Sequence, residues 1–167
     1  LALHQAAGVR PGGDVPERVF TALLLDDLFP VIGMAPHLGR GFTAEELGPN
    51  GPPAAIISHR LWQTRFAGDP AIINRAIRIS GRAASVVGVM PPGFVLPTDF
   101  RNPEPSQLWT PLQMDPADTN HGSHGLYAAG RLKEGATVAQ AADELHGIAR
   151  AMTSEGLYPV QMQFDTV

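Results

Sequence analysis

Two imidazoles in the run His121-Gly-Ser-His124 are the residues of this chain best suited by type and spacing to hold a metal ion. A zinc site needs three or four such donors. The chain has no cysteine, and no third ligand cluster lies near the pair in sequence. Both histidines fall in the polar stretch 115–125, so a solvated loop is the expectation. His59 follows a helix-capping serine and His146 lies within a long helical pattern, both ordinary helix-surface positions. His4 and His37 have no partners in the local sequence. The carboxylate pairs Asp26-Asp27 and Glu45-Glu46 have the composition of an acid–base dyad. Each also opens a predicted helix, where negative charge meets unsatisfied N–H groups and the positive end of the macrodipole; capping is the simpler expectation. Ser58-His59 and Ser123-His124 are sequence neighbours, which does not aim a base at a nucleophile, and no G-x-S-x-G turn accompanies them. Gly39-Arg40-Gly41 lacks the G-x-x-x-x-G-K-[ST] pattern that cradles nucleotide phosphates, and no helix follows Gly12-Gly13. Trp62 and Trp109 are expected as core anchors, as large aromatics usually are. No catalytic, cofactor-binding or metal-ligating residue is assigned, and no cofactor is expected.

The elements that would position these side chains are more legible. Glu17 to Leu25 has strand character. Asp26 or Asp27 caps a short helix whose Leu28, Phe29 and Ile32 share a face, with Pro30 tolerated in the first turn. Thr43-Ala-Glu-Glu46 is a capping box that starts one helical turn. Ala54 to Ile57 is a short apolar strand. It feeds a helix capped by Ser58, with Leu61, Trp62 and Phe66 inward and Arg60 and Gln63 outward. Asp69-Pro70 opens another turn. Ile77 and Ile79 alternate with Arg78 and Ser80, Gly81-Arg82 turns the chain, and Ser85 to Val89 returns it, which makes a hairpin. Pro91, Pro92, Pro97, Pro103 and Pro105 force an extended or irregular span. Its Phe94, Val95, Leu96 and Phe100 are more apolar than a solvent loop requires, and packing onto the body is the preferred expectation over contact with a partner. Leu108 to Leu112 and Gly125 to Leu132 read as strands. Thr137 and Gln140 form a second capping box before the longest helix, where Val138, Ala141, Ala142, Leu145, Ile148, Ala149 and Met152 recur at 3.6-residue spacing. That stripe is expected to be core, so that Leu145→Asp would unfold the domain. Gly156 closes the helix, and 160–167 alternates as a last strand. The first sixteen residues, rich in Gly and Pro, look frayed or truncated. Together these elements predict an α+β fold with a mixed sheet.

A length of 167 residues with 44% hydrophobic content suits one domain or two small subdomains with a real core. A net charge of −4, with no basic stripe, argues against nucleic acid. Arg60, Arg65, Arg75, Arg78 and Arg82 cluster in sequence and are expected on a solvated face. No apolar run approaches the roughly 20 residues needed to cross a bilayer, and no signal-peptide pattern opens the chain.

The run Asn74 to Phe94 (NRAIRISGRAASVVGVMPPGF), with ISHRLWQTRFAGDP before it and RLKEGATVAQAADEL after it, closely resembles the extracytoplasmic core domain of MacB-like ABC transporter permeases. That resemblance extends from about residue 9 to the end and includes the orphan permeases that are recognised only by this domain. It implies a periplasmic segment lying between two transmembrane helices of an inner-membrane protein, so this chain is expected to be a soluble piece of a larger one. It further implies a porter-like α/β subdomain from residues 9–40 and 107–167, and an inserted β-rich subdomain from residues 41–106, with residues 1–8 as a frayed or truncated start. The implied role is non-enzymatic: a relay of conformational change, with ATP hydrolysis in a separate cytoplasmic domain. Implied partners are the ABC ATPase, the parent's transmembrane helices, a second permease copy, and a periplasmic adaptor or envelope protein. The alternative is a stand-alone extracytoplasmic module that binds a peptide, lipid or glycan. A hydrolase would need convergent polar side chains that this sequence does not assemble.

Overall fold

Eight strands and four helices follow one another in a computed structural model that describes residues 2–10, 17–101, 103–115, 117 and 126–156. The strands are β1 (Ala2–Arg10), β2 (Glu17–Leu24), β3 (Leu38–Gly39), β4 (Ala54–Ile57), β5 (Ala76–Ile79), β6 (Arg82–Val89), β7 (Leu108–Pro111) and β8 (Leu126–Tyr127). The helices are α1 (Leu28–Val31), α2 (Ala44–Leu47), α3 (His59–Phe66) and α4 (Val138–Ser154), with 3-10 turns at Pro70–Ile72 and Pro97–Arg101. An α+β fold with a mixed sheet is therefore present, as the sequence predicts.

Local chemistry accounts for most of these boundaries. The side chains of Asp27, Thr43, Ser58, Asp69 and Thr137 each accept a backbone N–H in the first turn that follows, which satisfies donors a helix start leaves open. Thr43 with Glu46 and Thr137 with Gln140 form complete capping boxes. The β5–β6 hairpin also forms, but its turn lies one residue earlier than the Gly81-Arg82 expected. Ile79 pairs with Arg82, leaving Ser80 and Gly81 as the loop, with φ of 48° and 88°. Two successive positive φ values match the right-handed twist of the flanking strands. The hydrogen-bond register places a serine at the first of these positions, where sequence reasoning assigned positive φ to the glycine alone.

The strands are joined in the order β2-β7-β4-β6-β5-β1-β8, and a further β1–β2 pairing returns the path to its start. Six strands thereby make a closed ring, with β3 paired to β6 and β8 to β1. The expected frayed start is corrected here: Ala2–Arg10 is a strand, paired antiparallel with β2 from Ala2↔Leu24 to Val9↔Glu17. Its alanines and glycine carry little side-chain strand signal, and the main-chain ladder to β2 supplies what the composition hides. The strand expected over 125–132 is only Leu126–Tyr127, because its partner ladder is confined to Ala2 and Leu3. The polar loop around His121 and His124 and the last strand at 160–167 lie outside the described residues.

Successive residues of β4 face opposite sides, and all four are buried, as befits a strand covered on both faces. Ala55 and Ile57 join Val19, Val86, Ile77 and Leu108 in a cluster with Leu61, Trp62 and Phe66 of α3. Ala54 and Ile56 join Leu24, Phe29, Phe42, Val87, Leu96 and Trp109 in another. A register shift makes this possible: Ala55 pairs with Val86 but Ile56 with Gly88, so Val87 is an extra residue on β6, a bulge that re-aims the strand.

The chain divides into two compact units, residues 1–118 with 125–129, and residues 119–124 with 130–167. α4 belongs to the second. Its capping box and length match expectation, but no residue in it is buried. Val138, Leu145 and Ile148 are 72%, 53% and 57% exposed, so the stripe is not a core face among the described residues. The periodicity reports an amphipathic helix correctly and says nothing of what covers it.

Candidate functional site

Placed in the fold, the candidate chemical groups take up structural work. Asp27 caps α1 through Phe29 N–H at 3.3 Å. Burial pushes its carboxyl above the usual range, with the neighbouring Asp26 charge adding to the effect and the Phe29 N–H opposing it. Ser58 accepts from Leu61 N–H at 3.0 Å, so its hydroxyl is committed to the cap. His59 does not face it as a base. Instead His59 lies edge-on to Trp62, ring centroids 5.3 Å apart, and 6.0 Å from His37. His37, which sequence left without a partner, is thus the third ring of a group around Trp62, whose indole N–H donates to the Asp69 carbonyl at 2.9 Å. Among the described residues no three His, Cys, Asp or Glu side chains gather as a metal site; His121 and His124 lie outside those residues. Arg60, Arg65, Arg75, Arg78 and Arg82 are all exposed, and Arg78 turns back to the Gly81 carbonyl of its own hairpin.

Trp109 is fully buried and packs edge-on to Phe29 and Phe94, at 6.1 and 5.4 Å. The proline-rich span therefore folds onto the body through Phe94 and Leu96, as preferred from sequence, while Val95 remains 51% exposed. Sequence reasoning missed what holds this span. Asp99, itself buried, accepts from Leu96 N–H at 3.2 Å, Ser106 N–H at 3.0 Å and the Ser106 hydroxyl at 2.6 Å. An aspartate followed by a serine between prolines was the available signal, since Asp and Ser bond local backbone donors.

The second missed group centres on Glu46. Arg40 meets its carboxylate through two nitrogens at 2.7 and 2.8 Å, and Thr43 N–H donates to it at 2.8 Å. These bonds, that to Arg40 first, hold the Glu46 carboxyl below its ordinary range, and the same hydrogen bond raises Arg40. The Gln113 side-chain amide donates to the Glu46 and Gly51 main-chain carbonyls, both at 2.9 Å. Arg40 was weighed in sequence only as part of a glycine-flanked phosphate motif. These groups form caps, clasps and packed rings. They do not aim a nucleophile, a base and an oxyanion donor at one point, the arrangement that bond-breaking chemistry needs.

The chain thus combines a closed ring of mixed strands with one hydrophobic cluster that includes α3 and another that includes Phe29, Phe94 and Trp109. The sequence matches the MacB-like periplasmic core domain family over residues 4–148, and the chain belongs to that family, a periplasmic domain of ABC transporter permeases. The periplasmic region of MacB from Actinobacillus actinomycetemcomitans is similar at a TM-score of 0.60 and 13% identity, over 92% of this chain and 66% of that one. A domain of a putative permease protein from Porphyromonas gingivalis is similar at 0.52 and 16% identity, over 90% and 63%. The extracellular domain of the noncanonic ABC-type transporter YknZ from Gram-positive bacteria is similar at 0.50 and 17% identity. That last match covers 66% of this chain and spans about half, 51%, of the YknZ domain. No curated protein matches the chain. Among the described residues, no helix is long and apolar enough to cross a membrane.

Proposed function

We propose that this domain is a non-enzymatic relay. It carries conformational change from the membrane part of a MacB-like permease outward to a partner protein or cargo. The observation that carries the reading is the family match over residues 4–148, joined to polar groups that are spent on caps and clasps. Motion driven by nucleotide binding in an ABC ATPase tilts the transmembrane helices of the parent, and the domain follows as packed bodies. The parent sits in the inner membrane with this segment periplasmic. A second permease copy and a periplasmic adaptor or envelope protein are its proposed contacts.

The division into residues 9–40 with 107–167, and residues 41–106, belongs to the same reading. The ring supports it through the unequal lengths of its ladders. β4 meets β7 in two register pairs, Ile56↔Trp109 and Ile57↔Leu108, and β1 meets β5 in two, Val9↔Ile79 and Arg10↔Arg78. By contrast, β1 and β2 pair along eight residues, and β5 and β6 along four. The two short ladders fall between β2 and β7, with β1 joined to them, on one side and β4, β5 and β6 on the other; β3, within residues 9–40, pairs with β6 across the division in two register pairs.

The test uses the parent permease in membrane vesicles, with a cysteine at the exposed Val95 and any cysteine elsewhere in the parent removed. A membrane-impermeant thiol reagent is expected to label it from the extracytoplasmic side, at a rate that differs between ATP-bound and ADP-bound states. Equal rates in both states, there and at a second exposed position such as Met34, would refute the relay. A parent that carries a secretion signal and no membrane span would point to the stand-alone binding module instead.

A further inference from the structure

The geometry points to Gln113 as a clasp that sets the stiffness of the β4–β7 seam. This rests on the division of the ring given above. The seam is narrow, two register pairs long, so bonds at its two ends carry an unusual share of its strength. At one end Ser58 N–H donates to the Gln107 carbonyl at 2.9 Å. At the other, the chain runs from β7 through Leu112, whose N–H is fixed on the Leu24 carbonyl at 2.8 Å, to Gln113. Its amide reaches across to the Glu46 and Gly51 carbonyls, residues 67 and 62 positions earlier in the chain. Glu46 lies in α2 and Gly51 in the loop that leads from α2 into β4, so Gln113 adds two bonds between the end of β7 and the segment that feeds β4.

Three further observations mark the clasp as built rather than incidental. Gln113 has φ of 49°, a left-handed conformation that costs a non-glycine residue energy and persists where surrounding contacts enforce it. The receiving segment is itself held, because Arg40 and Thr43 bond the Glu46 carboxylate while Gln113 bonds its main-chain carbonyl. Gly51 is also packed tightly under α2: a Cβ there would come 2.1 Å from the Glu45 carbonyl oxygen, so only glycine presents its carbonyl at that place. Arg40 is anchored in turn through its N–H to the Val87 carbonyl on the β6 bulge. The clasp thus ties the end of β7 to the part of the ring built on β6, the two amide hydrogens of one nitrogen serving both carbonyls.

Hydrogen exchange by mass spectrometry on the full parent protein tests this, comparing wild type with Gln113→Ala and Gln113→Gly. Both variants remove the amide, and the glycine also relieves the left-handed strain. Two net hydrogen bonds are worth on the order of ten-fold in a local opening equilibrium. Amides of residues 44–57 are therefore expected to exchange about ten-fold faster in both variants, with those of β5 and the central part of β6 unchanged. Unchanged rates over 44–57 in both variants would overturn the proposal, and so would a rise spread evenly through the ring. The readout needs no nucleotide, so a failed clasp leaves the labelling test of the relay intact. Equally, a relay refuted by labelling leaves the local exchange result standing.

Discussion

Removing the Asp99 carboxylate tests whether the proline-rich span is held by its buried neck or by aromatic packing alone. Asp99 is 5% exposed and Ser106 1% exposed. The carboxylate accepts two backbone N–H groups and one hydroxyl, at 3.2, 3.0 and 2.6 Å. Asp99→Ala strips these donors of that acceptor, at a cost of about 1–3 kcal/mol for each donor left unsatisfied. Relief from holding a charge in a dry site offsets part of that sum, so a net loss of about 4 kcal/mol is expected. For a chain of this size it would lower Tm by roughly 8–16 °C. Asp99→Asn keeps one oxygen acceptor in place and is expected to lose about half as much. Ser106→Ala removes only the 2.6 Å charge-assisted bond and should cost about 2 kcal/mol. Urea titration measures the three variants, with the midpoint falling and the m-value held, since the surface exposed on unfolding does not change. An alanine variant within about 1 kcal/mol of wild type would refute the argument.

Three further outcomes are expected. The Glu46 carboxyl is depressed by Arg40, so its contribution is present above the ordinary carboxylate range and lost as pH falls through the lower folded value; Glu46→Gln should flatten stability between about pH 5 and pH 3, measured as urea midpoint against pH. Asp27 has the opposite sign, its carboxyl being raised by burial, so its charge opposes folding at neutral pH; Asp27→Asn keeps the cap oxygen and should leave stability at pH 7 equal or higher while removing the gain on acidification. Thr137→Ala breaks the capping box of α4 and should loosen its first turn by about 1 kcal/mol, seen as faster exchange at Gln140 N–H.

What the sequence revealed and what it hid divide along a physical line. Caps at Asp27, Thr43, Ser58, Asp69 and Thr137 were legible because the capping bond lies within three residues of its donor. The hairpin was legible for the same reason, to within one residue of its turn. The Glu46–Gln113 contact, 67 residues apart in sequence, and the ring closure through β1 depend on the path of the backbone, which no local pattern encodes. The stripe on α4 failed in another way: spacing shows that a helix has two faces, while exposure depends on what lies against it. His37 and Trp62 illustrate the same limit, for a ring pair 6.2 Å apart joins residues separated by two strands and a helix.

The ring also limits how a relay could work. A closed sheet resists shear because each strand is held on both edges, so deformation concentrates where the ladders are shortest. Among the ladders that close the six-stranded ring, the two-pair contacts β4–β7 and β1–β5 are those places. The first of them is reinforced at both ends, by Ser58 on Gln107 and by Gln113 on Glu46 and Gly51. The second lies at Val9 and Arg10, at the opposite end of β1 from the Ala2 and Leu3 that pair with β8. If the two parts of the ring move against each other, the movement is therefore expected to open at β1–β5 and pivot about the reinforced β4–β7 seam. Weakening Gln113 would then turn one stiff pivot into two soft seams, and the domain would pass on less of any motion it receives.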